Sequence, residues 1–428
     1  MVRPLSPKIT ENGGNHVAEK EPTEIHLTPW DLRLLSTDYI QKGILLPKPP
    51  SSGDRLVDAL ASSLARALAR FDLFAGRLAG KELSSDGGTV TVSLVCTGEG
   101  AELVHAAAPG VAVADIAASL FTPPVAWSLF SLNRVLNADA AIEHLPVLSV
   151  QATELADGVF IGVSLNHSVG DGTAFWHFVN TWSEIHRRYC GTTPVPWRWF
   201  AETSPVPIPM PFRKLQHLVR RATSVRKLKE RANDETAGTA VVISSLQALL
   251  AHLWRAVSRA RRLTPEQGTS YYVIIGCRGR VRGIPPAGYT STAGEVERNG
   301  LGWTARLLNR AVASFDEGRV RGFLERWVRE PEFAYMGTLS STGAALITGS
   351  SPRFDVFGND FGWGKPVAVR SGPGEKIDGN ATVYEGPEKG GSISLEVCLA
   401  PDVLARLVAD EEFMEAVVPS FLFSPLPK

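Results

Sequence analysis

Cysteine is scarce in this 428-residue chain, net charge is absent, and no long hydrophobic run occurs. Each shortage excludes something. The four cysteines, Cys96, Cys190, Cys277 and Cys398, lie far apart and never form Cys-x-x-Cys. That spacing offers neither a zinc site nor a small disulfide framework, so reduced thiols and no metal are expected. Lys plus Arg and Asp plus Glu balance at 44 each, which leaves no electrostatic footprint for nucleic acid or an anionic membrane surface. Nothing approaches about 18 uninterrupted apolar residues. The opening MVRPLSPKITENGG also lacks the apolar centre of a signal peptide. A cytoplasmic setting with small-molecule partners is therefore expected, with no membrane and no nucleic acid.

What is present is a chain 44% hydrophobic, enough for a large core divided between two domains. Residues 1–24 read as a loose polar lead-in, 25–190 as an N-terminal domain, 191–237 as a crossover linker and 238–428 as a C-terminal domain. The linker assignment rests on GTTPVPWRWFAETSPVPIPMPFR, whose prolines break helix and central strand alike. Within the first domain, Leu56, Leu60, Leu64 and Leu68 recur at helical spacing over 54–70. The run VFIGVSL (159–165) has the composition of a buried strand. From Thr173 to Tyr189 the period changes to 3.6, with Phe175, Phe178, Val179, Trp182 and Ile185 on one face. HSVGDG is then a turn between strand and helix. The second domain opens on a helix carrying Leu246, Leu249, Leu250, Leu253 and Val257 on one side, with Ser244 as its N-cap. A strand over 271–277, a helix around 301–314 and a strand over 392–399 follow.

His167 and Asp171, four apart in that turn, form the first chemical constellation. A neutral imidazole has an ordinary pKa of about 6.5 and can take a proton from an alcohol or amine at physiological pH, with no metal required. The plainer reading also stands: Asp171 directly before a helix is what an N-cap looks like, and a carboxylate paired with Arg278 or Arg280 would fix the turn. A triad through Ser168 is disfavoured, because adjacent side chains diverge and no G-x-S-x-G elbow surrounds the serine. The second constellation is Asp360-Phe361-Gly362-Trp363-Gly364, where two glycines permit a tight turn around an indole. Alone it reads as an aromatic packed at a corner.

Taken in this order and at this separation, His167-x-x-x-Asp171-Gly172 and Asp360-Phe-Gly-Trp-Gly364 resemble the paired signatures of the plant BAHD acyltransferases. The likeness extends through HLTPWDL, DYIQKG, FAGRL (74–78), the run from Leu145 through Trp182, SSLQALLAHLW, GCRGR and SSPRFDVFGNDFGWGKP. It is most similar to the branch containing the cuticle-associated acyltransferases and uncharacterised homologues. The resemblance implies an α/β fold of two chloramphenicol-acetyltransferase-like domains, each a mixed β-sheet with flanking helices, joined by a long crossover into a monomer with a channel between them. It implies acyl-CoA as co-substrate, no permanently bound cofactor, and a small-molecule alcohol or amine as acceptor. His167 matches the family's base, and Asp171 matches an aspartate turned away from the channel and held by the arginine that Arg278 best matches. Asp360, Gly362, Trp363 and Gly364 match a structural segment away from the base.

One departure stands out. After GCRGR, the run GIPPAGY (283–289) passes directly into TSTAGEVERNGLGW, where the family carries a longer stretch. An apparent deletion after Tyr289 is expected to leave backbone groups unpaired and to weaken folding or CoA binding. Two alternatives follow: a CoA-independent lyase acting on an acyl conjugate, and an inactive ligand-binding homologue. Condensation domains of peptide synthetases carry a related motif with a second histidine before the base, a place that Asn166 holds here.

Overall fold

The computed structural model describes residues 1–5, 23–83, 88–118, 121–188, 204, 206, 245–274, 287–314, 317–334, 344–350, 353–374, 376–386 and 393–415. By its internal contacts the chain divides into two units, the first Met1–Arg220 with Pro331–Ala334 and Arg353–Gly374, the second Arg221–Glu330 with Tyr335–Pro352 and Glu375–Lys428. The linker expected over 191–237 falls almost wholly outside the described residues, as does the helix cap expected at Ser244.

Among the described residues, seven strands come from the first half of the chain: β1 (Thr23–His26), β2 (Ile40–Pro47), β3 (Arg77–Leu83), β4 (Thr89–Cys96), β5 (Glu102–Ala108), β6 (Leu148–Leu155) and β7 (Gly158–Leu165). Six more are β8 (Gly268–Val273), β9 (Ala287–Thr292), β10 (Ala345–Ser350), β11 (Ala368–Ser371), β12 (Asn380–Glu385) and β13 (Ile393–Cys398).

The first unit holds a small sheet ordered β1-β4-β3 and a five-stranded sheet ordered β11-β2-β7-β6-β5. In the larger sheet β5 and β6 run parallel and every other neighbour is antiparallel. Strand β7 lies at its centre with all eight residues buried, which is why it reads as an unbroken apolar run rather than an alternating one. Two helices flank these sheets. In α1 (Asp54–Leu68) the four leucines at helical spacing are all buried. In α2 (Gly172–Arg187) the buried set includes Phe175, Phe178, Val179, Trp182 and Ile185, the stripe that the 3.6 period marks. Removing such a side chain from water contributes about 1.5–3 kcal/mol each.

The segment 353–374 comes late in the sequence and yet packs within the first unit. Sequence reading placed it inside a domain spanning 238–428. The physical reason for its position is twofold: β11 extends the larger sheet by pairing antiparallel with β2 from Ala368↔Leu45 to Ser371↔Lys42, and Phe361 buries its ring on α2.

The second unit holds a mixed sheet ordered β13-β12-β10-β8-β9, with β10 parallel to both β12 and β8. Helices α3 (Ser245–Ala260) and α5 (Gly300–Ala313) share a core with it through Leu250, Leu253, Trp254, Leu308, Tyr271 and Val383. The departure expected after Tyr289 falls in this sheet. Strand β9 pairs with β8 along its whole length, from Ala287↔Val273 to Thr292↔Gly268. Thr292 then caps α4 (Ala293–Arg298), its side chain accepting from Glu295 N while Glu295 accepts from Thr292 N. Ala293 N donates to Gln267 O at 2.9 Å. Where unpaired backbone was expected, β9 pairs in register with β8 and leads directly into a capped helix.

Candidate active site

Strand β7 ends at Leu165 and α2 begins at Gly172, so six residues make the connection. They turn tightly because Asn166 O accepts from both Val169 N (3.0 Å) and Gly170 N (3.2 Å). Asp171 closes the turn as the N-cap of α2, its Oδ1 accepting from Ala174 N at 2.9 Å. A helix leaves its first N–H groups without intrahelical partners, and a short acidic side chain supplies the acceptor that one of them needs. Asp171 therefore does structural work at this position.

His167 sits two residues beyond the end of the strand and is partly buried. Its backbone N donates to Asn137 Oδ1 at 2.7 Å. Ring atom Nδ1 is buried and no described side chain hydrogen-bonds it, while the carbonyls of His167 itself and of Gly170 are near enough to favour the charged ring. Burial outweighs these effects and the Asp171 carboxylate, pushing the imidazole below its ordinary pKa, and the positive charge of Lys42 acts in the same direction. Lys42 lies on β2 with its Nζ donating to Ser371 Oγ of β11 at 3.0 Å. A histidine in these surroundings is neutral at physiological pH and so carries a free lone pair.

Ser168 takes no part in a triad. Its Oγ is buried and has no hydrogen-bond partner among the described residues, His167 included. Arg278 and Arg280 fall outside the described residues.

The second constellation grips the other end of the same helix. Asp360 Oδ1 accepts from Gly362 N (2.7 Å) and Gly364 N (3.1 Å), folding the backbone around one carboxylate oxygen. That fold needs φ of +101° at Gly362 and +129° at Gly364, values that a side chain at either position would strain. The turn presents two aromatic rings to α2. Phe361 meets Trp182 edge-on at 4.9 Å between centroids, and Trp363 meets His186 edge-on at 5.2 Å. Upstream, Asn359 Oδ1 accepts from Ser183 Oγ (3.4 Å), and Phe354 lies against Gly172, where an added Cβ would come within 3.2 Å of its ring. The stretch from Phe354 to Trp363 thus runs alongside α2. His186 lies fifteen residues beyond Asp171, about 22 Å along the axis at 1.5 Å per residue. Trp363 therefore sits at the far end of α2 from His167.

Sequence reading missed a hydroxyl that ties these helices together. Ser63 of α1 donates to Leu60 O (2.9 Å) and accepts from Trp182 Nε1 (3.0 Å), and it lies 2.9 Å from His186 Nδ1. All four groups are satisfied if His186 carries its proton on Nδ1 and donates it to Ser63. Burial lowers His186 to about 4, so it too is neutral near pH 7. Asn137 and Asn166 around the His167 turn were missed as well. The available signal, an asparagine in a mixed loop sequence and another at the end of an apolar run, is too common to single them out.

Comparison with known proteins adds to this geometry. The sequence matches the profile described as the Transferase family over residues 15–217 and 210–414. It is 36% identical to an uncharacterised acetyltransferase of Arabidopsis thaliana, covering 92% of this chain and 94% of that protein. It is 30% identical to the BAHD acyltransferase DCR of the same plant, covering 95% and 92%. Among solved structures, TRI101 of F. sporotrichioides, complexed with coenzyme A and T-2, superposes with a TM-score of 0.66 at 19% identity, covering 92% of this chain and 98% of that one. At that identity the likeness carries the fold alone, a pair of chloramphenicol-acetyltransferase-like α/β domains.

Proposed function

Since the chain belongs to the Transferase family, among its BAHD acyl-CoA-dependent acyltransferases, we propose that it moves an aromatic or fatty acyl group from acyl-CoA to a hydroxyl or amine of a plant metabolite with His167 as general base. The observation that carries the assignment is the state of His167: neutral through burial, and placed between a strand end and a capped helix.

In this reading the imidazole takes the proton of the acceptor as its oxygen or nitrogen attacks the thioester carbonyl. The tetrahedral intermediate collapses by breaking the C–S bond, and the departing CoA thiolate recovers the proton from the imidazolium. A thiol of pKa about 8.5 leaves without strong acid assistance, so one base serves both proton transfers. No acyl-enzyme is required, in keeping with a Ser168 that is not joined to His167. Asp171 acts through the turn by capping α2, and Asp360, Gly362, Trp363 and Gly364 act through the helix by packing its far end.

The test is an acyl-CoA by acceptor screen read by mass spectrometry, run on the natural chain and on His167→Ala. Transfer is expected from the natural chain alone, with the variant down by about 10²–10⁴-fold and its melting temperature nearly unchanged. Full turnover by purified His167→Ala would overturn the assignment. Product release from a single acyl conjugate without CoA would instead indicate a lyase, and binding without turnover across the panel would indicate an inactive homologue.

A further inference from the structure

We propose that Asn137 is a positioning residue for the base, holding the backbone of His167 so that its ring is presented at a set depth; this rests on His167 acting as proposed above. Asn137 has no accessible surface and stands thirty residues before His167 in an irregular stretch. Every polar atom of its side chain is used. Oδ1 accepts from His167 N at 2.7 Å, the shortest contact in the turn, while Nδ2 faces Leu34 O (2.9 Å), Thr37 Oγ1 (3.1 Å) and Asp38 O (3.3 Å).

The amide cannot be turned round, because His167 N can only donate and Leu34 O can only accept. Its backbone is engaged too: Asn137 N donates to Thr37 O (2.8 Å), and Asn137 O accepts from Asn166 Nδ2 (3.0 Å). Asn166, equally buried, spends its Oδ1 on Ser168 N at 3.1 Å. His167 and the residue before it are thus pinned to Asn137, the residue after it is held by Asn166, and Asn137 is itself pinned to the segment 34–38 leading into β2. Only a side chain with an acceptor and two donors at one end can bridge these partners. Aspartate lacks the donors, and leucine lacks both.

The arrangement has the character of a second tier supporting a reactive group. Among the described residues no side chain hydrogen-bonds His167 Nδ1, and the groups that bear on it, the carbonyls of His167 and Gly170, belong to the same turn, so the ring's position follows that of the turn backbone. A displacement of about 1 Å in a reacting group can cost on the order of 100-fold in rate.

Two readouts separate positioning from mere structural support. The first is the titration of the His167 imidazole by NMR on protein carrying ¹³C-histidine, assigned with His167→Gln. Among the described residues the charged groups acting on this ring are Asp171 and Lys42, and both are left in place. The second is the split between kcat and KM in the transfer assay.

Asn137→Ala is expected to lower kcat by about 100-fold with KM for acyl-CoA changed less than threefold, and to bring the imidazole titration up toward the ordinary histidine value as the turn relaxes into solvent. Asn359→Ala, which removes another fully buried asparagine of the first unit, is expected to lower the melting temperature while leaving the His167 titration in place. Should Asn137→Ala fail to fold, the isosteric Thr37→Val, which removes one acceptor of the Asn137 amide, is expected to shift the titration in the same direction by a smaller amount. A folded Asn137→Ala, or failing that Thr37→Val, with natural kcat and an unmoved titration would overturn the inference. Because the titration is read without turnover, an active His167→Ala would remove the base assignment and still leave the positioning measurable.

Discussion

At the scale of single residues the site depends on one imidazole kept neutral. Its lowered pKa follows from burial first, and the partial opposition of Asp171 and nearby carbonyls does not restore the ordinary value. A base must be unprotonated to work, so activity is lost as pH falls through the pKa of the ring in the folded protein. That value lies below 6.5, and the acid limb of a kcat/KM profile is accordingly expected to have its midpoint below 6.5, with full activity retained at pH 7. A midpoint at or above 6.5 would contradict the burial argument. Replacing Lys42 by methionine removes a positive charge that holds the ring down, and the same limb is expected to move upward. Stopped assays across pH 5–8 read both outcomes.

At the scale of elements, α2 joins the two constellations: His167 and Asp171 at its N-terminal end, and Phe361 and Trp363 packed toward its C-terminal end. Asp171→Ala removes the cap and should cost about 1 kcal/mol from that interaction alone, whereas Asp171→Asn keeps a side-chain acceptor and should lose far less. Urea unfolding of the two variants measures the difference. Phe361→Ala vacates a fully buried ring against Trp182 and should cost about 3–5 kcal/mol. Both constellations were visible in the sequence as short motifs, and the periodicity of 173–189 showed the helix between them. Their attachment to one helix was not visible, because periodicity reports which face of an element is buried and says nothing of which distant segment buries it.

Across the first unit as a whole, stability is tied to pH through buried histidines. His186, packed against Trp363, Phe361 and Ser63, is lowered to about 4 by burial. The unfolded chain, with an ordinary histidine value of about 6.5, binds the proton first as pH falls. Between roughly pH 6.5 and 4 the unfolded state therefore carries more protons, and stability is lost progressively across that window. One such histidine accounts for roughly 3 kcal/mol. Denaturant midpoints are expected to fall from pH 7 to pH 4, with a shallower slope in His186→Gln, which cannot titrate. His167 contributes with the same sign, since its pKa is also lowered in the folded state.

By itself the amino-acid sequence determined the local elements and the chemistry they carry. The leucine spacing of α1, the apolar run of β7, the aromatic stripe of α2 and a histidine in the turn between strand and helix all follow from hydrophobic period and residue type within a few positions of one another. The tertiary structure alone decided that residues 353–374 join the first unit, that β9 pairs with β8 and runs directly into α4, and that Asn137 bonds His167 from thirty residues away. These are pairings between segments far apart in the chain, set by matching surfaces and by single hydrogen-bonding groups. Neither leaves a repeating trace in the order of the residues, so they become legible only when the chain is folded.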